Sequence, residues 1–241
     1  MDVHTLIANP PKLHTDGGSL TSSWNLGREE LLFLDENVKP GQHTLETGLG
    51  VSTIVFALKG SNHVCITPDQ REVTNVCAFC SQHGISLESV KFINECSEYA
   101  LPKMNSSGVD VALIDGRHAF PTPFIDWYYI ANMMSVGGIV LVDDLHIWTC
   151  ELLAEFMHAD DDWQIVRESL SAAIFKKRRE ISRAEYAQQP YVFRRSRQAS
   201  LTAKLRYLAG LLRRRNYSLL SETLRLVLES ALKGNFGVRE R

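Results

Sequence analysis

The chain of 241 residues can bury one sizeable core and still carry an appendage. Its content of 44% hydrophobic and 22% charged residues is that of a soluble globular protein. The net charge of −2 hides two unlike halves, because residues 1–175 hold 9 basic and 23 acidic side chains while residues 176–241 hold 17 and 5, and the change falls abruptly at Lys176-Lys177-Arg178-Arg179.

The N-terminus, MDVHTLIANPPKLH, lacks the basic and apolar regions of a secretory signal. Thr21-Ser22-Ser23-Trp24-Asn25 then precedes an amphipathic run over 26–36. Residues 42–46 read as a short strand ending in Glu46. A Gly-rich turn follows, Thr47-Gly48-Leu49-Gly50-Val51-Ser52-Thr53, and leads into a helix over 53–59. It has neither the third glycine of a dinucleotide turn nor the Lys-Ser/Thr pair of a phosphate-gripping loop. Glu46 just before it repels phosphate and suits a cationic ligand group. The plain alternative is a tight turn with no ligand.

A strand over 63–67 and a helix over 69–83 come next. Cys77-x-x-Cys80 in that helix has no partner pair or Cys/His cluster, so buried helix cysteines fit better than zinc or redox work. The five cysteines, an odd number without framework spacing, fit reduced thiols and a cytoplasmic protein. A third strand over 90–94 and a short helical segment near 97–103 precede two acid-tipped strands.

The first of these, Val109–Ile114, ends in Asp115, with His118 three residues on. The second, residues 139–142, ends in Asp143 and Asp144 and is followed by His146. Between them lie the stiff Phe120-Pro121-Thr122-Pro123 loop, an aromatic-rich helix over 123–134 and a Gly137-Gly138 turn. The longest uncharged stretch, residues 127–142, has 16 residues and is broken by those glycines, which leaves no convincing membrane span. Neighbouring parallel strands open into one crevice at their carboxyl ends. Three carboxylates there repel one another unless a cation or protons intervene, and a hard divalent ion with oxygen ligands meets that need. Capping of the following helices is the alternative for Asp115 or Asp143 alone. A helix over 147–158 and a closing pair of strands, Trp163–Glu168 and 172–177, complete the pattern. Strands alternating with helices predict a doubly wound, mostly parallel α/β sheet.

Glu46-Thr47-Gly48-Leu49-Gly50 resembles the first motif of class I S-adenosylmethionine-dependent methyltransferases, an acid followed by GxG after the first strand. LIDGRH followed by GGIVLVDD resembles the metal-dependent O-methyltransferase branch, which includes the catechol and macrocin types. The resemblance covers about residues 40–177. It implies a Rossmann-like, seven-stranded sheet with an antiparallel closing strand, and an enzyme that uses S-adenosylmethionine. It implies that the acid meets the methionine ammonium and that the glycines pass close to the cofactor. Cofactor contacts fall on Glu46, Gly48, Gly50, Ser52, Thr67, Asp69, Ser97 and Asp115. Mg²⁺ or another divalent cation falls on Asp115, Asp143 and Asp144. His118 stands where the family has its base, and His146 is the second candidate. One departure is plain. The family has a ribose-binding acid at the tip of the second strand, where this chain has Thr67, with Asp69 the nearest acid.

The domain organisation expected is a helical cap segment over 1–40, the S-adenosylmethionine-binding methyltransferase domain over 41–178 and a basic helical extension over 179–241. Leu201, Leu205, Leu208 and Leu212 form one stripe of a helix over 201–212, and a second amphipathic helix spans 219–232. Such helices dock on the acidic domain or a second subunit as a homodimer, or lie on an anionic membrane surface. Nothing in the pattern supports nucleic acid as a partner. The activity expected is metal-assisted O-methylation of a small-molecule or sugar-bearing acceptor. A non-catalytic protein of the same fold, binding a ligand or partner through its basic helices, is the alternative, and Thr67 favours it.

Overall fold

Alternation along the strands decides which side of the sheet each residue serves. In a computed structural model, which describes residues 1–16, 18–22, 24–181 and 185–232, seven strands form one sheet. They are β3 (His43–Thr47), β4 (Asn62–Ile66), β5 (Val90–Ile93), β6 (Val109–Ile114), β7 (Met134–Val142), β8 (Trp163–Glu168) and β9 (Ala173–Lys177), in the order β5-β4-β3-β6-β7-β9-β8. Val111 and Leu113 of β6 pack into one core, while Ala112 and Ile114 pack into the other. Both faces are therefore buried, as a parallel sheet requires. Helices α2 (Arg28–Asn37), α3 (Val51–Leu58) and α4 (Gln70–Gln82) supply Leu31, Leu34, Ile54, Val55 and Val76 to the first core. Helices α6 (Thr122–Met133) and α7 (Trp148–Ala159) supply Ile130, Leu153 and Met157 to the second.

Strands β5, β4, β3, β6 and β7 run parallel, and β9 runs antiparallel to both β7 and β8. The strand order reverses between β3 and β6, and such a switch point opens a crevice at the carboxyl edge. The glycine pair at 137–138 differs from expectation. It lies inside β7 rather than before it, and the register with β6 shifts there, from Val109↔Met134 to Val111↔Ile139. A Cβ on Gly138 would stand 3.0 Å from the Val109 carbonyl oxygen, so the close approach of β6 needs a glycine. At the far end of the sheet Lys177 is fully buried and donates to the Ala131 and Met134 carbonyls at 3.0 and 2.8 Å. It thereby satisfies carbonyls at the end of α6 that the helix leaves open.

Before the sheet come helix α1 (Val3–Ala8), a hairpin of β1 (His14–Asp16) and β2 (Ser19–Thr21), and then α2. The hairpin is absent from the sequence reading, because three-residue strands carry no alternation to detect. The short helix α5 (Ser97–Ala100) follows β5.

The chain divides into two units, Met1–Ser182 and Arg183–Arg241, close to the change of charge at 176–179. The second unit holds α8 (Pro190–Arg213) and α9 (Tyr217–Leu232), packed on each other around Leu211. Helix α8 begins eleven residues before the expected 201, with Pro190 at its first position, where no N–H is needed. No described helix is long and apolar enough to cross a membrane.

Candidate functional site

The two apolar strand ends and the Gly-rich turn meet in one cleft of about 710 Å³ at the carboxyl edge of the sheet. Its wall includes Gly48, Thr67, Asp69, Ser97, Asp115, His118, Asp143, Asp144 and His146, which the sequence singled out. Gly48 has φ +94, and a Cβ there would stand 2.2 Å from the Asp115 carbonyl oxygen. The glycine is thus demanded first by the backbone of the neighbouring strand. Gly50 is extended and opens helix α3.

Glu46 and Ser52 lie elsewhere than expected, since neither is on the cleft wall. Glu46 points to the first core and is fully buried. Its carboxylate accepts from the hydroxyls of Ser52, at 2.7 Å, and Thr53, and lies 3.1 Å from His63 Nε2. His63 Nδ1 in turn meets Thr44 Oγ1 at 2.8 Å, Thr44 meets Ser61, and the His63 ring stacks on Phe56 at 4.2 Å. This is a closed buried network with every member paired.

The acids after β6 and β7 are the opposite. Asp143 leaves β7 on the first-core side, beside Glu30, and its Oδ1 is buried without a partner. Asp144 has φ +57, a left-handed turn that redirects the chain, so its carboxylate reaches His118 instead. His118 Nδ1 lies 3.1 Å from Asp144 Oδ2, and His118 Nε2 lies 3.8 Å from Asp115 Oδ1 and has no hydrogen-bond partner. Ligand atoms of Asp115, His118 and Asp144 all lie within 4.8 Å of one another. The close cluster therefore contains His118, where the sequence reading had Asp143. Asp143 stands beside it, one residue away. The Thr149 hydroxyl of α7 donates to the His118 carbonyl and fixes the loop. His146 is mostly exposed, with Nδ1 3.5 Å from Asp144 Oδ1.

Crowding of like charges shows in the proton affinities. Burial, with Asp143 and Asp144 adding, holds the Asp115 carboxyl well above the usual range. Burial, with Asp144 and Glu30 adding, pushes Asp143 up to about 7. Burial and then His146 pull His118 down from its usual value, against the pull of Asp144.

On the other side of the cleft, Thr67 is buried at the tip of β4. Asp69 caps α4, accepting from the Arg71 N–H at 2.8 Å, and pairs with the Arg71 guanidinium at 2.6 Å. Those hydrogen bonds lower its carboxyl to about 2. Ser97 opens α5.

Four residues escaped the sequence reading as site residues. His14, Asn25 and Glu72 line the cleft from the N-terminal segment and α4. Asp126, on α6, is buried behind it, and burial, with Glu98 adding and the hydroxyls of Ser97 and Thr47 opposing, pushes it up to about 6. A single acid within the aromatic run PTPFIDWYYI was a legible sign of a buried carboxyl. For His14 and Asn25 no spacing signal existed. Trp24, named from the sequence, also lines the cleft and is half exposed.

Residues 45–145 match the model of a family described as a methyltransferase domain. No curated protein matches the chain. Among solved structures, cofactor-bound Rv0187 from MTB is similar with a TM-score of 0.56 and 14% identity, over 64% of this chain and 82% of that one. The O-methyltransferase TomG from Streptomyces achromogenes, in complex with SAM, gives 0.54 and 12%, over 66% and 83%. An rRNA methylase from Streptococcus thermophilus gives 0.51 and 14%, over 63% and 95%. At such identities the likeness is one of fold. The chain therefore has the Rossmann-like fold that these methyltransferase structures share, and its residues 45–145 are similar to a methyltransferase domain.

Proposed function

We propose that the chain is a divalent-metal-assisted O-methyltransferase that takes S-adenosylmethionine in the cleft at the carboxyl edge and methylates a hydroxyl of a small-molecule or sugar-bearing acceptor. One observation carries the reading. Three acids and His118 converge at two strand tips, and their buried Asp143 Oδ1 and His118 Nε2 are without hydrogen-bond partners. Buried polar atoms are ordinarily paired, so these point to a missing ligand.

Asp115 and Asp144, with Asp143 beside them, would hold the ion, as an oxygen-rich set suited to Mg²⁺. When bound, a divalent ion lowers the pKa of an acceptor hydroxyl and orients it. His118 serves as the base. A carboxylate only accepts, so Asp144 fixes the proton on His118 Nδ1 and leaves the Nε2 lone pair open. The lowered proton affinity of this ring keeps it neutral and ready to take the acceptor's proton at Nε2. When bound, S-adenosylmethionine would supply the methyl group, and His118 would leave the acceptor oxygen deprotonated to receive it. Thr67 takes one ribose hydroxyl. Asp69, engaged with Arg71, would contribute less, and Ser97 would hold the adenine side. Glu46 and Ser52 act by shaping the Gly-rich turn and not by contact.

Calorimetric titration with S-adenosylhomocysteine, with and without Mg²⁺, tests this. Micromolar binding to the wild-type chain, and Mg²⁺ binding lost in Asp144→Ala, are expected. A chain that binds neither refutes the reading.

The reach of the exposed leucines Leu201, Leu205 and Leu212 on α8 supports a homodimer through the C-terminal helices. Light scattering of the chain with and without residues 200–241 tests it, with loss of the dimer expected. The five free cysteines suit the cytoplasm.

A further inference from the structure

The cleft has a second group of unpaired polar atoms, far in sequence from the acids. His14 is almost fully buried, and its Nε2 has no hydrogen-bond partner. Asn25 likewise has both its side-chain oxygen and nitrogen buried and unpaired. Both residues line the same cleft as the Gly-rich turn. His14 Nε2 stands 3.4 Å from where a Cβ of Gly50 would be, so the imidazole sits directly over that turn. Its other nitrogen, Nδ1, is 2.8 Å from a Glu72 carboxylate oxygen.

The chemistry of these groups is specific. A carboxylate only accepts, so Glu72 holds the proton of the neutral ring on Nδ1, and Nε2 presents a lone pair to the cleft. An acceptor nitrogen backed by a carboxylate suits an ammonium. The Asn25 amide offers one acceptor and one donor side by side, which matches an ammonium and its neighbouring carboxylate. Glu46, which the family resemblance would set against the methionine ammonium, cannot serve. Its oxygens are taken by Ser52, Thr53 and His63 inside the core.

We propose that His14 and Asn25 of the N-terminal segment form the subsite for the zwitterionic amino-acid end of the cofactor. The inference rests on the cofactor reading above and adds the residues that hold that end.

The test compares two ligands by calorimetry on the full chain. S-adenosylhomocysteine carries the amino-acid end, and 5′-methylthioadenosine has the same adenosine without it. Asn25→Leu and His14→Phe should each weaken S-adenosylhomocysteine about tenfold or more, the scale of a lost hydrogen bond to a charged group. Binding of 5′-methylthioadenosine should stay within about twofold of wild type in the same variants. Undiminished S-adenosylhomocysteine affinity in both variants overturns the subsite alone. An equal loss of both ligands also overturns it, since this subsite does not touch a nucleoside lacking the amino-acid end. A wild-type chain that binds neither compound overturns the cofactor reading itself.

Discussion

Glu46 on β3 and the acids that follow β6 and β7 stand at neighbouring strands and are built in opposite ways. Glu46 on β3 has two hydroxyls and an imidazole on its carboxylate, and its partners are paired in turn. Asp115, Asp143 and Asp144, after β6 and β7, face one another with two histidines and leave atoms unpaired. The first arrangement satisfies its buried charge without a ligand. The second costs stability and is retained where a ligand can complete it. Burial alone therefore does not distinguish Glu46 from Asp143, whereas the unpaired Asp143 Oδ1 does.

The largest effect expected is on the closed network. Glu46→Ala leaves His63 Nε2 and the hydroxyl protons of Ser52 and Thr53 buried without their acceptor, and should destabilise the chain by about 3–5 kcal/mol in urea denaturation. A loss below about 1 kcal/mol would erase the contrast between the two groups. Next comes the open cluster. His118→Ala should lower turnover about a hundredfold with S-adenosylhomocysteine affinity unchanged, once an acceptor is found by screening. Full turnover in that variant would move the base to His146.

Asp126 sharpens the comparison through pH. Its pKa is raised to about 6 from 3.8, so between these values the folded chain binds more protons than the unfolded one. Stability contributed by the protonated form is present below about 4 and is lost as pH rises through about 6. Asp126→Asn should remove this slope, and the gain over wild type should grow from near zero at acid pH to about 1–3 kcal/mol at neutral pH. Thermal melts across that range would reveal it, and parallel curves would contradict it. The smallest effect is on Asp143. Asp143→Asn relieves like-charge crowding and should stabilise the ligand-free chain by about 1 kcal/mol while weakening Mg²⁺ binding. Destabilisation by this change would show that Asp143 is paired like Glu46.

Much of the fold was legible because strand alternation and glycine punctuation are local. The positions of Asp115, Asp143 and Asp144 at strand tips were legible for the same reason, since they follow apolar strands, whereas His118 was singled out by its place three residues beyond Asp115 in the family resemblance. What stayed hidden was set at long range. The sealing of Glu46 needs Ser52 and Thr53 from α3 and His63 from β4, a convergence no spacing rule reports. His14 reaches the Gly-rich turn from a hairpin of three-residue strands, and Asn25 lines the cleft from the segment after it, so neither carries a local signal. The exchange of Asp143 for His118 in the close cluster follows from one left-handed residue, Asp144, and although Asp visits that conformation more than most residues, most Asp do not adopt it.

The contact between Gly48 and the Asp115 carbonyl sets what a mutational survey of this chain will find. Two segments 67 positions apart touch through main chain, with no room for one carbon atom between them. A side chain can shrink or rotate to accommodate a newcomer, but a peptide group cannot, so position 48 should reject all nineteen alternatives. Leu49 beside it lines the same cleft with a side chain, and should accept several apolar replacements. An intolerant position flanked by a permissive one is therefore the pattern that deep mutational scanning should record here, and it arises from backbone proximity without reference to any ligand.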